Sequence, residues 1–228
     1  MCNNLSSLSK NPFCSCKSQS LSLDIDECKS GKNPCQHQCI NTKGSYRCTC
    51  PNGYRLNADN HTCSDINECI EKSINCGLDK TCFNRLGDYT CVQTPCPGNY
   101  KFNPKNGKCW RQSNKRSPIF EIDYKMVALP NGIDESTDLI RLMVKKYETS
   151  KIHENTSFTI KIKEKFRERF PFDIRHDIDG SAIIYTTKVL DKKKTYNIKV
   201  QARSLRNDGK IEYKTTFIIY VSVSGFSY

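Results

Sequence analysis

Apolar and polar positions are arranged differently in the two halves of this 228-residue chain. From Ile119 onward, short runs of β-branched and aromatic residues predict strands over 120–129, 139–147, 157–166, 182–190, 196–202 and 211–223. Breakers such as Pro130-Asn131-Gly132, Asp179-Gly180 and Asn207-Asp208-Gly209 separate several of them. Asn207-Asp208-Gly209, placed between two such runs, predicts a tight hairpin. Residues 119–228 are therefore expected to form an antiparallel β-sandwich. Before Ile119 the apolar runs are too short and too few to build a core. No stretch approaches eighteen consecutive apolar residues, so no membrane span is expected.

Cysteine takes the place of that missing core. All 15 cysteines lie at or before Cys109, and the odd count implies at least one free thiol or an intermolecular bond. Twelve of them fall into two successive groups of six: Cys28, Cys35, Cys39, Cys48, Cys50 and Cys63, then Cys69, Cys76, Cys82, Cys91, Cys96 and Cys109. Cysteine at this density belongs to an oxidising compartment. Each group opens with an acidic tetrapeptide, Asp24-Ile25-Asp26-Glu27 or Asp65-Ile66-Asn67-Glu68. Each also places Asn two residues after its third cysteine and Tyr two before its fourth, giving Asn41 and Tyr46, then Asn84 and Tyr89. A hard divalent cation seeks six to eight oxygens, which is the chemistry of such an acidic and amide set.

Six cysteines combined with these oxygen donors resemble a calcium-binding EGF-like module, present twice. The resemblance implies the pairs Cys28–Cys39, Cys35–Cys48 and Cys50–Cys63, then Cys69–Cys82, Cys76–Cys91 and Cys96–Cys109, each worth roughly 2 to 4 kcal/mol. It implies side-chain ligands Asp24, Glu27 and Asn41 with backbone carbonyls of Ile25, Thr42 and Ser45. In the second repeat it implies Asp65, Glu68 and Asn84 with the carbonyls of Ile66, Arg85 and Asp88. The second repeat departs from the usual spacing, since Val92-Gln93-Thr94-Pro95 separates Cys91 from Cys96. That enlarged interval, followed by Cys96-Pro97-Gly98, resembles the last EGF module of fibulins and hemicentins. The second half resembles the fibulin-type C-terminal module, closest to that of hemicentins, through Tyr124-Lys125-Met126-Val127-Ala128-Leu129-Pro130, Ile184-Tyr185-Thr186-Thr187 and the run from Ile211 to Tyr220.

The expected organisation is thus an incomplete EGF-like remnant at 1–23, calcium-binding EGF-like modules at 24–63 and 64–109, a polar linker at 110–118, and the β module at 119–228. The first residues lack the basic start and apolar run of a signal peptide, so a longer secreted precursor is expected to carry this segment.

Charge adds one more candidate. Residues 110–228 carry 23 Lys and Arg against 15 Asp and Glu, which is 8 of the 12 excess positive charges. A basic half attracts polyanions, and in an extracellular setting the expected polyanion is an acidic glycan such as heparan sulfate, not nucleic acid. Lys161, Lys163, Lys165, Arg167 and Arg169 alternate with Ile162 and Phe166, so a strand through them would set all five cations on one face over roughly 26 Å. Sequons at Asn4, Asn60 and Asn155 are candidate glycosylation sites.

Catalysis is not expected. The four histidines show no metalloprotease or haem spacing, and His176-Asp177 with Ser181 lacks a nucleophile turn. Asp177-Ile178-Asp179-Gly180 falls short of an EF-hand loop, with its Gly two positions early and no closing Glu. The resemblance implies a secreted structural protein of the extracellular matrix or basement membrane, mediating assembly and adhesion through protein and glycan contacts. The rival reading is a soluble EGF-type signalling ligand, or a C-terminal hormone-like peptide released at Lys115-Arg116. Such ligands do not need the calcium residues, so Asp24, Glu27 and Asn41 favour the matrix reading.

Overall fold

The computed structural model describes residues 24–103, 108–112, 114, 118–146, 149–162, 170–191 and 193–227. The remnant at 1–23 with Cys2, Cys14, Cys16 and Asn4, the dibasic Lys115-Arg116, and Lys163, Lys165, Arg167 and Arg169 lie outside the described residues. The described chain divides into two compact units.

The first unit comprises residues 24–50 with 56–62. A 3-10 turn, Glu27–Lys29, precedes a hairpin of β1 (Gln38–Thr42) and β2 (Ser45–Thr49). Cys39 lies opposite Cys48 and Asn41 opposite Tyr46. Disulfides Cys28–Cys39 and Cys35–Cys48 stitch this hairpin to the preceding loop. Cys35 and Cys48 are themselves buried, so the bridges serve as the interior of a unit that has little else to bury.

The second unit takes residues 51–55, with the start of β3 (Tyr54–Leu56), and everything from Cys63 onward. It continues through β4 (Cys63–Asp65), a one-turn helix α1 (Glu68–Glu71) and the hairpin of β5 (Lys80–Arg85) and β6 (Asp88–Gln93). Asn67 caps α1, its side-chain oxygen accepting from the Ile70 N–H at 3.2 Å. Disulfides join Cys69 to Cys82, Cys76 to Cys91 and Cys96 to Cys109.

Among the described residues the unit continues with nine strands: β7 (Lys101–Asn103), β8 (Lys108–Arg111), β9 (Ile119–Asn131), β10 (Asp138–Leu142), β11 (Thr156–Ile160), β12 (Phe172–His176), β13 (Ala182–Thr186), β14 (Lys194–Leu205) and β15 (Ile211–Ser227). They form a six-stranded sheet in the order β11-β14-β15-β9-β8-β7 and a three-stranded sheet in the order β10-β13-β12. Between them lies one buried cluster, with Leu142, Phe172, Ala182 and Ile184 from the small sheet meeting Ile198, Val200, Phe217 and Ile219 from the large one. On β15 the odd positions from Tyr213 to Val223 are buried, so the even ones from Lys214 to Ser222 occupy the outer face.

The sandwich and the hairpin at Asn207-Asp208-Gly209 are present, and four details differ from expectation. β9 and β15 pair in parallel, because the segment that enters the module and the one that leaves it run side by side in the same direction. The strand expected over 157–166 ends at Ile160, where the apolar alternation is about to be diluted by Glu164. Those expected over 139–147 and 182–190 end at Leu142 and Thr186. The expected linker at 110–118 begins later, since Trp110 and Arg111 belong to β8 and pair with Glu121 and Phe120.

Candidate metal centres

In the first repeat, Asp24 is held by two donors from the hairpin. The Asn41 side-chain amide donates to its Oδ2 at 2.9 Å and the Gly44 N–H to its Oδ1 at 2.5 Å. Gly44 closes the β1–β2 turn with φ +79°, a left-handed conformation in which glycine meets no steric cost. Glu27 sits in the 3-10 turn, and its Oε2 is buried with no hydrogen-bond partner among the described residues. The Thr42 hydroxyl donates to the Ser45 carbonyl at 2.8 Å, leaving that carbonyl a second lone pair. Ile25 is 73% exposed, so its place here concerns its backbone and not its side chain.

The second repeat reproduces the two bonds to its Asp. Asn84 donates to Asp65 Oδ2 at 2.7 Å, and the Gly87 N–H to Asp65 Oδ1 at 2.6 Å. The Asn84 Oδ1 also accepts from the Glu68 N–H at 3.1 Å, so one amide ties both acidic positions together. Glu68 is 3% exposed, and its Oε2 lacks a hydrogen-bond partner among the described residues. Residues 51–55 close against this turn: the Ile66 N–H donates to the Gly53 carbonyl, and a Cβ on Gly53 would lie 2.0 Å from the Gly87 oxygen. Arg85 and Asp88 flank Gly87, and their side chains form an ion pair at 2.6 Å, leaving the backbone for other work.

A buried carboxylate oxygen without a partner costs free energy unless a cation meets it. Such an oxygen recurs at the equivalent Glu27 and Glu68, each beside an Asp and Asn pair fixed by a glycine turn. Among the described residues no three His, Cys, Asp or Glu side chains converge. A cation would therefore rest on two carboxylates, an amide and carbonyls, an all-oxygen set that fits calcium and not zinc. Sequence reasoning missed Gly44 and Gly87, whose signal was available in their common position two residues before Tyr46 and Tyr89.

The other candidates are dispersed. Asn60 is exposed with φ +61° at the tip of a turn, where Asp59 accepts from the N–H groups of His61 and Thr62 and from the Thr62 hydroxyl. These bonds, the Thr62 hydroxyl first, hold the Asp59 carboxyl down at about 2. Asn155 is exposed immediately before β11. Lys161 is exposed and follows the end of that strand, so the alternating face drawn through Arg169 has one described member. His176 accepts from the Phe158 N–H, while Asp177 and Ser181 both bind Arg141, so these three side chains serve structural bonds.

Two stretches of the chain, residues 24–63 and 65–109, match the model of the calcium-binding EGF domain. Over 212 residues, 90% of this chain, the sequence is 42% identical to human hemicentin-1. It is 34% identical over 209 residues to mouse hemicentin-2. In both cases it spans only 4% of the relative's length. Mouse fibulin-7 is 43% identical over 83 residues, 34% of this chain and 19% of that protein.

Proposed function

Because the chain belongs to the hemicentin and fibulin family, we propose that it acts as a secreted, calcium-binding structural element of the extracellular matrix, whose β module supports assembly and adhesion. The observation that carries this reading is the duplicated centre, in which an Asp fixed by an Asn and a glycine turn stands beside a buried, unpartnered Glu oxygen. Asp24, Glu27 and Asn41 with the carbonyls of Ile25, Thr42 and Ser45 would hold one ion. Asp65, Glu68 and Asn84 with those of Ile66, Arg85 and Asp88 would hold another. The ion supplies positive charge where two carboxylates are otherwise brought together without a counter-charge. The chain's own part is to fix those oxygens in advance: disulfides anchor the hairpins, the glycine turns hold the Asp carboxylates, and the 3-10 turn and α1 present the Glu side chains.

Calorimetry on the oxidised chain tests the reading. Two calcium ions should bind per chain, and Glu27→Ala and Glu68→Ala should each remove one. Unchanged stoichiometry in both variants would overturn the assignment. In the same reading Asn60 and Asn155 carry N-glycans, and peptide-N-glycosidase treatment of the secreted protein should lower its mass.

A further inference from the structure

We propose that the outer face of the six-stranded sheet, outside the part where Tyr124 and Tyr220 meet the Pro95 and Gln93 carbonyls, is a binding surface for a sulfated glycan chain, built by cations of β8, β14 and β15 with Lys161 just beyond the end of β11. The inference deepens the matrix reading above and rests on it for the extracellular setting. Strand register places Arg111, Phe120, Lys214, Arg203 and Ser157 side by side across β8, β9, β15, β14 and β11. Two rows further on, Lys199 lies opposite Ile218, and the Lys161 N–H donates to the Lys199 carbonyl. With strands about 4.8 Å apart and alternate residues about 6.8 Å apart, Arg111 to Arg203 spans about 14 Å across the sheet, and Arg203 to Lys199 about 14 Å along it.

These positions share a face, because their neighbours Tyr213, Thr215, Phe217, Val200 and Ala202 are all buried in the core on the other side. The acids of the strands themselves are kept off this face, and Asp79 of the second repeat approaches it only at Tyr124. Glu121 and Asp123 of β9 have the opposite parity, where Lys108 lies 3.5 and 3.4 Å from them. Glu212 is bound by His153 at 2.7 Å. The outer positions of β14 from Thr195 to Arg203, and of β15 from Lys214 to Ser222, contain neither Asp nor Glu. Among the described residues Arg111, Lys161, Lys199, Arg203 and Lys214 form no ion pair. Thr159, Gln201 and Thr216 lie between the two charged rows and add neutral hydrogen-bonding groups.

Two of the cations are also held in position. Arg111 lies 4.5 Å from the centre of the Phe120 ring and 5.2 Å from that of Tyr100, and Lys214 lies 5.4 Å from that of Phe120. A positioned guanidinium binds an oxyanion by paired N–H donors, carboxylate and sulfate alike, so a sulfated chain is favoured by its higher density of charge against several cations. A sheet face whose own charged side chains are all cationic suits a linear polyanion that gains from several contacts at once. Nothing in this account requires the alternating stretch from Lys163 to Arg169.

The test is heparin affinity of the full chain, in calcium and again in chelator. Reversal of two central cations, Arg203→Glu with Lys214→Glu, should weaken heparin binding at least tenfold and lower the salt needed for elution. The matched reversal Lys145→Glu with Lys146→Glu, on exposed residues after β10, should change it less than twofold. Equal losses from both pairs would show that net charge alone acts and would overturn the site. Binding to phosphatidylserine vesicles as tight as to heparin, lost with the same pair, would overturn the glycan assignment. Binding to hyaluronan as strong as to heparin would overturn the role of sulfate. Should Arg203→Glu with Lys214→Glu fail to fold, Lys199→Glu with Lys161→Glu must give the same ranking. Calcium stoichiometry should stay at two ions in these variants, so failure of the glycan surface and failure of the calcium centres would be read separately.

Discussion

At the residue scale the most informative side chain is Glu68, because its cost and its use have opposite signs. A buried carboxylate oxygen without a partner destabilises the fold by about 1–3 kcal/mol, and the same oxygen becomes favourable once a cation meets it. Glu68→Gln is therefore expected to raise the unfolding midpoint in chelator and to lower it in saturating calcium. A shift of the same sign in both conditions would remove Glu68 from the centre. Asp59 gives a second residue-level prediction. Its carboxyl is held at about 2, below the ordinary 3.8, by the Thr62 hydroxyl and then by the N–H groups of Thr62 and His61. A depressed folded pKa contributes stability that is present above about 3.8 and is lost as pH falls through about 2. The stability gap between the native chain and Asp59→Asn should thus close between pH 4 and about 2, as acid denaturation followed by NMR of the Asp59 carboxyl would report.

At the scale of elements, the enlarged interval between Cys91 and Cys96 acquires a purpose. The Tyr220 hydroxyl donates to the Gln93 carbonyl at 2.9 Å and the Tyr124 hydroxyl to the Pro95 carbonyl at 2.8 Å. Two outer-face residues of β15 and β9 thereby bind the inserted loop of the second repeat. Burial raises the pKa of both phenols above the ordinary value of 10, since it penalises the charged form. With folded pKa values raised, the contribution is intact below about 10 and is lost as pH rises through the folded values. Tyr124→Phe and Tyr220→Phe should each cost about 1 kcal/mol at neutral pH, and the double variant should lose less stability on alkaline titration. An unchanged alkaline limb would mean that these hydroxyls do not join loop to sheet.

The same elements mark what was legible in the sequence. The hairpin at Asn207-Asp208-Gly209 was readable because φ +75° at Gly209 is what such a turn demands of its last residue. β12 was not, since Phe172–His176 puts Asp173, Arg175 and His176 on a short segment after Pro171, and its strand character comes from pairing with β13. The parallel pairing of β9 with β15 joins segments about a hundred residues apart, and no local pattern encodes direction. In the repeats, two copies of one pattern exposed the acidic and Asn positions, and the resemblance to calcium-binding EGF-like modules is what pointed to Asp24, Asn41, Asp65 and Asn84 as ligands. The glycines of the two turns stood in the sequence at a repeated position two residues before Tyr46 and Tyr89, but their hold on the aspartates is visible only as geometry.

At the scale of the second unit, the proposed calcium centre and the β-sandwich share a cavity, and the repeat and the sheet share a strand. The turn Arg85-Leu86-Gly87-Asp88, in which the Arg85 and Asp88 carbonyls are proposed ligands, faces Lys193, Ser222, Val223, Ser224 and Gly225 across a cavity of about 70 Å³. β8, which carries the last cysteine of the repeat, is itself a strand of the six-stranded sheet. A ligand that binds only the folded state stabilises whatever unfolds cooperatively with its site, by about 2.7 kcal/mol at one hundred times its dissociation constant. Calcium at Asp65, Glu68 and Asn84 should therefore stabilise the sandwich, although it touches none of its core. Trp110 is the chain's single tryptophan and lies in β8 beside Glu121, so its fluorescence reports directly on that sheet. The Trp110 unfolding midpoint in urea should rise with calcium, and Glu68→Ala should abolish the rise without removing the transition. A midpoint indifferent to calcium in the native chain, with calcium uptake shown by calorimetry, would mean that the repeat and the sandwich unfold separately.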